Sequence, residues 1–265
     1  VRDLYSFGLP VVTSQCLRSF ADQAGSVMIA KNFSMVDLGF FNRGLLIPQN
    51  IGYSLQLILS RTNFPTLSKV VGDDKAVKEM YLHFLHFSGG LVGLIMTGLI
   101  ASSDQVVEIL LGNEWNPSVW YMQLSAVMFF IYIVYVSNMD LLKALGKTKR
   151  LFLYNTITAL FQIVGIGIGF YFSGIKGIVL GDIVGRLVGC LIFMGAVSRV
   201  SMITVRSQLS IIARVGAMCG VFALLILVIQ ASISGLYFKI IIIGFLGVVA
   251  LILFWKQVAS SLRYQ

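Results

Sequence analysis

Two pairs of opposite charge stand at helical spacing inside apolar sequence: Arg18 with Asp22, and Asp182 with Arg186. Four residues of separation put both members of a pair on one helix face, within reach of each other. Each pair is set in a segment rich in Val, Ile, Leu, Phe and Gly. A charge there costs at least about 2.5 kcal/mol if hydrocarbon surrounds it. Two readings follow. The pairs are self-neutralised and merely survive insertion, or they mark faces lining a polar cavity where arginine meets an anionic substrate. Arg43 has no acidic partner in its own segment; it either snorkels to a membrane interface or reaches inward. For Asp140 the spacing predicts a helix-end role with Lys143.

The segments around Arg18 and Arg43 also carry Gln15, Gln23, Asn42, Gln49, Asn50 and Gln56. So many amides on two membrane helices predict a hydrated face rather than lipid contact. The candidate cavity residues are therefore Arg18, Asp22, Arg43, Gln49, Asn50, Asp182 and Arg186. Pro10 and Pro48 would bend the same two helices, and Asn155 and Gln162 repeat the amide signal more weakly. His83 and His86 lie three residues apart, but nothing nearby completes a metal site, so packing or interfacial roles are expected. Cys16, Cys190 and Cys219 are far apart and odd in number, which fits small buried hydrophobes. No nucleophile–base pair, H-E-x-x-H or Walker lysine occurs, and neither an enzyme nor a cofactor or metal is predicted.

Composition identifies the elements that must position these groups. Hydrophobic residues make up 57% of the 265 positions and charged residues 12%, against about 25% charged in an ordinary soluble domain. Mean hydropathy is +0.89. One soluble core could not hide that much apolar surface. The chain is predicted to be all-α, a polytopic bundle of transmembrane helices. Eight stretches are long and apolar enough to span: 6–30, 40–60, 81–102, 118–142, 151–173, 177–198, 215–234 and 238–255. Gly177, Gly181, Gly185 and Gly189 form a small-xxx-small ladder, and Gly165, Gly167 and Gly169 recur nearby; close helix packing follows.

The net charge of +9 could suggest nucleic acid, but its distribution says otherwise. Fourteen of the 20 Lys and Arg residues fall in segments 61–80, 143–150 and 199–214 and at the two ends. Alternate connections hold few. That is the positive-inside pattern, with both termini and the basic loops in the cytoplasm. Residues 63–80 read as an amphipathic cytoplasmic connection turning at Gly72-Asp73-Asp74, and 103–117 as a short helix at the outer interface. The opening Val1-Arg2-Asp3, without an initiator Met or signal-peptide pattern, reads as a piece of something longer.

Four motifs in order resemble a known family. Phe7-Gly8-Leu9-Pro10-Val11-Val12 followed by Gly39-Phe40-Phe41-Asn42-Arg43 is similar to a Gly-Tyr-Tyr-x-Arg stretch of bacterial polysaccharide flippases. Phe64-Pro65-Thr66-Leu67-Ser68-Lys69 resembles their Phe-Pro-x-(Leu/Phe)-Ser-(Arg/Lys) loop. Leu111-Gly112-Asn113-Glu114-Trp115 resembles their outer turn, and Leu141-Leu142-Lys143-Ala144-Leu145-Gly146-Lys147 their Leu-x-Ala-x-Gly-(Arg/Lys) segment. These are the Wzx-type lipopolysaccharide and exopolysaccharide flippases of the MOP (MATE-like) exporter superfamily.

The resemblance implies a second six-helix bundle at 1–198 and two additional C-terminal helices at 199–265, in a bacterial inner membrane protein. It implies movement of undecaprenyl-pyrophosphate-linked oligosaccharide across the bilayer, with a missing N-terminal bundle supplying the other cavity wall. Arg18, and less directly Arg43 and Arg186, would hold the anionic head, while Asp22 or Asp182 would couple to protons or sodium. Alternatives are a MATE-like exporter of drugs or organic cations and a truncated fragment that transports nothing.

Overall fold

The computed structural model describes residues 2–232 together with 244, 247, 249–252 and 254; the side chains of 2–11, 14, 15 and 229–232 are outside that description. The eighth predicted span, 238–255, therefore lies largely outside the described residues, as do the side chains of Pro10 and Gln15. The described chain is helical throughout: α1 Arg2–Asn32, α2 Met35–Val70, α3 Asp74–Ala101, α4 Ser103–Leu110, α5 Ser118–Ala144, α6 Thr148–Ser198 and α7 Val205–Ser232, with a 3₁₀ turn at Asn113–Trp115.

Among the described residues, four helices are long and apolar enough to cross a membrane: α3, α5, α6 and α7. Of these, α6 is two antiparallel arms, 148–172 and 175–198, because Ser173 and Gly174 leave helical geometry, Gly174 at φ +58°. The fifth and sixth predicted spans are these arms. The first two predicted spans fall within α1 and α2, whose polar residues keep them below that apolar threshold. Multi-pass membrane architecture follows from the apolar helices and their exposed surfaces.

The connections form where the local chemistry demands. Ser34 caps α2 through a reciprocal box, its hydroxyl accepting from the Asp37 N–H while the Asp37 carboxylate accepts from the Ser34 N–H. Gly72 has φ +119°, and Asp73 caps α3 by accepting from the N–H groups of Lys75 and Ala76, which places the predicted turn where the sequence put it. The rest of 63–80 is a correction. It is mostly continuous helix rather than loop, because α2 runs through Pro65 to Val70 and α3 starts at Asp74. At its end α2 covers Leu67 completely. Thr66 and Ser68 donate back to the carbonyls of Thr62 and Phe64, occupying backbone acceptors around the proline. A helix of this length is about 54 Å long, against a hydrocarbon thickness of about 30 Å, so it projects beyond the bilayer.

Packing is organised around α5, which touches α2, α3 and α6, while α1 packs on α6 and α7 on α3. The α2–α5 pair runs parallel. A Cβ at Gly44 would collide with Tyr121 and Ser118, and one at Gly52 with the Phe129 ring. The arms of α6 close through the predicted glycine ladder. Gly165 meets Gly181, Gly169 meets Gly177, and Gly185 and Gly189 rest on Gln162 and Thr158. An added Cβ at Gly169 or Gly181 would land on the opposing carbonyl oxygen.

Candidate functional site

The two sequence-predicted ion pairs converge into one network joining α1 to both arms of α6. Arg186 donates from Nη2 to Asp22 Oδ1 at 2.9 Å and from Nε to Asp182 Oδ1 at 3.1 Å. Arg18 Nε lies 3.4 Å from Asp22 Oδ1 without a well-aligned hydrogen bond. Gln162 on the first arm of α6 is fully buried. Its Nε2 donates to Asp182 Oδ1 at 2.7 Å, and reaches Asp22 Oδ1 and the Ala21 carbonyl at 3.3 Å. Close approach of the two arms across Gly185 puts Gln162 there.

Two guanidiniums and two carboxylates sum to no net charge. Their side chains are 12–21% exposed, so they are mostly withdrawn from water yet not sealed. Removing one member of such a pair costs about 3–5 kcal/mol, because the remaining charge is stranded. The Arg18 guanidinium also sits over the Tyr135 ring, 4.9 Å from its centroid. Tyr135 in turn donates to Asn155 on α6.

A cavity of about 100 Å³ opens beside this network, between α1, α2, α5 and the second arm of α6. Asp22, Asp182 and Arg186 form its charged wall, Gln49 and Tyr53 come from α2, and Tyr132 from α5. The tyrosine wall is the part that sequence reading missed. Its signal was tyrosine in the middle of predicted spans rather than at the interfacial belts where the residue is usually enriched.

The remaining candidates lie elsewhere. Arg43 is exposed on α2 and sits over Trp115, 5.6 Å from the ring centroid, with Phe40 edge-on to the same indole. Asn50 is exposed on α2 and is not among the cavity-lining residues. Asp140 pairs with Lys143 at 3.2 Å at the end of α5 and accepts from Ser60 of α2 at 2.8 Å. His86 packs on the Phe254 ring. Among the described residues no group of three metal-ligating side chains comes together.

Helices of this length, parallel pairing around a central helix and a charged cavity within an apolar bundle make a polytopic membrane fold. Among solved structures it is similar to lipid II flippase MurJ in an inward closed conformation. The TM-score is 0.72 at 15% identity, covering 98% of this chain and 55% of that one. Residues 1–120 match the family described as polysaccharide biosynthesis protein. Teichuronic acid biosynthesis protein TuaB of Bacillus subtilis (strain 168) is 22% identical over 156 residues, 59% of this chain and 32% of TuaB. Lipopolysaccharide biosynthesis protein WzxC of Escherichia coli (strain K12) is 24% identical over 138 residues, 52% of this chain and 28% of WzxC. The matched stretch thus spans less than a third of either curated relative. These partial similarities agree with the resemblance of its motifs to Wzx-type polysaccharide proteins.

Proposed function

We propose that this chain is the C-terminal part of a bacterial inner-membrane flippase for lipid-linked oligosaccharide, a transporter and not an enzyme. The observation that carries the reading is the charged, tyrosine-walled cavity set midway along an otherwise apolar bundle of MurJ-like fold. A sugar–pyrophosphate head needs a hydrated, cationic path through the bilayer, while its polyprenyl tail stays in lipid. WzxC and TuaB carry names from lipopolysaccharide and teichuronic acid synthesis, and MurJ is a lipid II flippase, which supports a lipid-linked saccharide as cargo.

In this reading the arginines have different duties. Arg18 and Arg186 are held by Asp22 and Asp182, so an incoming phosphate competes with internal carboxylates for them. Arg43 has no carboxylate within ion-pairing distance among the described residues and is free to meet an anion. Gln49 offers amide donors to the sugar from the cavity wall, with Asn50 beside it on α2. Asp22 or Asp182, once released, takes up a proton or sodium ion, which couples headgroup passage to an ion gradient. The other wall of the path belongs to a first bundle of the same transporter, and the basic loops and both ends of the chain face the cytoplasm.

The test is complementation of a flippase-deficient strain by the natural full-length protein, scored by surface polysaccharide. Restored polysaccharide with the parent and loss with Arg43→Ala or Arg18→Ala is the expected result. Export at parental level from both variants, at equal membrane abundance, removes Arg18 and Arg43 from the mechanism.

A further inference from the structure

The exposed side of α2 has a regularity that the cavity does not explain. Its buried residues, Phe41, Gly44, Pro48, Gly52, Leu59, Asn63 and Leu67, share one side of the helix and pack inward. The opposite side is exposed at Arg43, Leu46, Asn50, Tyr53, Leu57, Arg61, Phe64 and Ser68. At 100° per residue, the positions of Arg43 and Arg61 differ by five full turns and so share one azimuth. Along the axis they are about 27 Å apart, close to the hydrocarbon thickness of about 30 Å. Asn50 and Ser54 lie close to the line between them, with exposed Leu46 and Leu57 along its margin. Tyr53, about 80° round the helix from that line, is also a wall of the charged cavity, which therefore borders this face near its middle.

Both arginines are exposed, and among the described residues neither has a carboxylate within ion-pairing distance. The two arginines of the charge network, Arg18 and Arg186, contrast with them, because both lie in ion pairs. Arg61 stands at the end of the bundle where Lys143, Lys147 and Arg150 also lie. Arg43 stands at the other end, where its stacking on Trp115 fixes the guanidinium in place. A planar guanidinium at each end of a polar line is suited to hold a phosphate bidentately before and after it crosses.

We propose that Arg61 is a binding residue of the transport path, an anion-capture station at the basic end. The polar face of α2 then leads the pyrophosphate of a lipid-linked saccharide past the cavity to Arg43. The occupant of this face is that anionic headgroup. This rests on the flippase reading above and adds to it a residue and a direction of travel.

The test uses the natural full-length protein in proteoliposomes of phosphatidylcholine, with and without added phosphatidylglycerol. The probe is a fluorescent polyprenyl-pyrophosphate monosaccharide supplied from the face that bears Arg61. Arg61→Gln is expected to raise the half-saturating probe concentration about tenfold with little change in maximal rate, as loss of one charge-assisted contact predicts. Arg61→Lys is expected to recover part of that loss, and Lys69→Gln to behave as the parent. Equal effects of Arg61→Gln and Lys69→Gln overturn the station, since they reduce it to general basic charge. An Arg61→Gln effect that vanishes without phosphatidylglycerol also overturns it, because Arg61 then binds membrane lipid. If the parent itself does not move the probe, the flippase reading fails; if it does and only Arg61→Gln is silent, the capture station fails alone.

Discussion

The outer surface of α6 and α7 and the outer surface of α2 belong to one bundle and were built for different surroundings. On α6 the exposed large side chains include Leu153, Leu160, Val164, Ile168, Leu187 and Leu191, and on α7 Val221, Leu224 and Val228. On α2 the exposed set includes Asn42, Arg43, Asn50, Ser54 and Arg61 among Leu46, Leu57 and Ile58. Lipid tails suit the first surface. The second carries Asn50 and Ser54 at mid-depth and an arginine without a carboxylate partner near each end, which hydrocarbon alone would penalise. The difference places water, cargo or a further part of the protein against α2 and lipid against α6 and α7.

The largest effect should come from the charge network that stands between these two surfaces. Arg186→Ala strands Asp182 beside the buried Gln162 and leaves Asp22 only its longer contact with Arg18, at a cost of about 3–5 kcal/mol. The measurement is thermal unfolding of the detergent-purified protein, where a markedly lower midpoint than the parent is expected. Asp182→Asn combined with Arg186→Gln, which removes one charge of each sign and leaves Arg18 paired with Asp22, should recover part of that loss. If the single and double variants unfold alike, the network contributes through shape and not charge.

The comparison itself is tested by adding a charge to each surface. Leu160→Arg faces lipid from the first arm of α6 and is expected to destabilise or block insertion by about 2.5–3.5 kcal/mol. Ser54→Arg, at similar depth on α2, should leave membrane abundance near the parental level. Equal losses at the two positions, read by quantitative blotting of the membrane fraction, would mean that both surfaces meet lipid.

An intermediate effect is expected within the glycine ladder. Gly181→Val forces the two arms of α6 apart, because its side chain would occupy the place of the Gly165 carbonyl. The cost is at least the ~1–3 kcal/mol of an overpacked core, since backbone must move. Gly167, on the first arm, has nothing near the position of an added Cβ, so Gly167→Ala should be tolerated. Matching thermal midpoints for the two variants would remove the ladder as the fastening of α6.

Much of this was legible in the sequence, for identifiable reasons. Apolar runs fixed the spanning segments from α3 to α7, because lipid demands about 20 apolar residues and basic loops punctuate them. The i,i+4 spacing announced both ion pairs, and the four-residue glycine period announced the α6 hairpin. What stayed hidden depends on long-range register. Gln162 bridges Asp22 and Asp182 only because the two arms of α6 approach closely, which no local spacing encodes. Arg43 was grouped with the cavity by its segment, yet its azimuth on α2 turns it outward toward Trp115. The stretch 61–70 read as loop because its charges and Pro65 mimic one, whereas a helix projecting into water carries the same composition.

The smallest expected effect concerns the outer end of α2. Trp115 is edge-on to Phe40 and stacked under Arg43, so it ties the 3₁₀ turn to α2 without entering the cavity. A cation over an indole at an exposed site is worth about 0.5–1 kcal/mol. Trp115→Phe keeps an aromatic face and should change the thermal midpoint little; Trp115→Ala should lower it by a few degrees. The functional consequence is sharper than the thermodynamic one. Without the indole, Arg43 loses its fixed orientation but keeps its charge, so maximal transport should fall while the half-saturating concentration set at the basic end stays put. A change in half-saturation alone would instead place Trp115 and Arg43 on the capture side of the path, reversing the direction assigned to the polar face of α2.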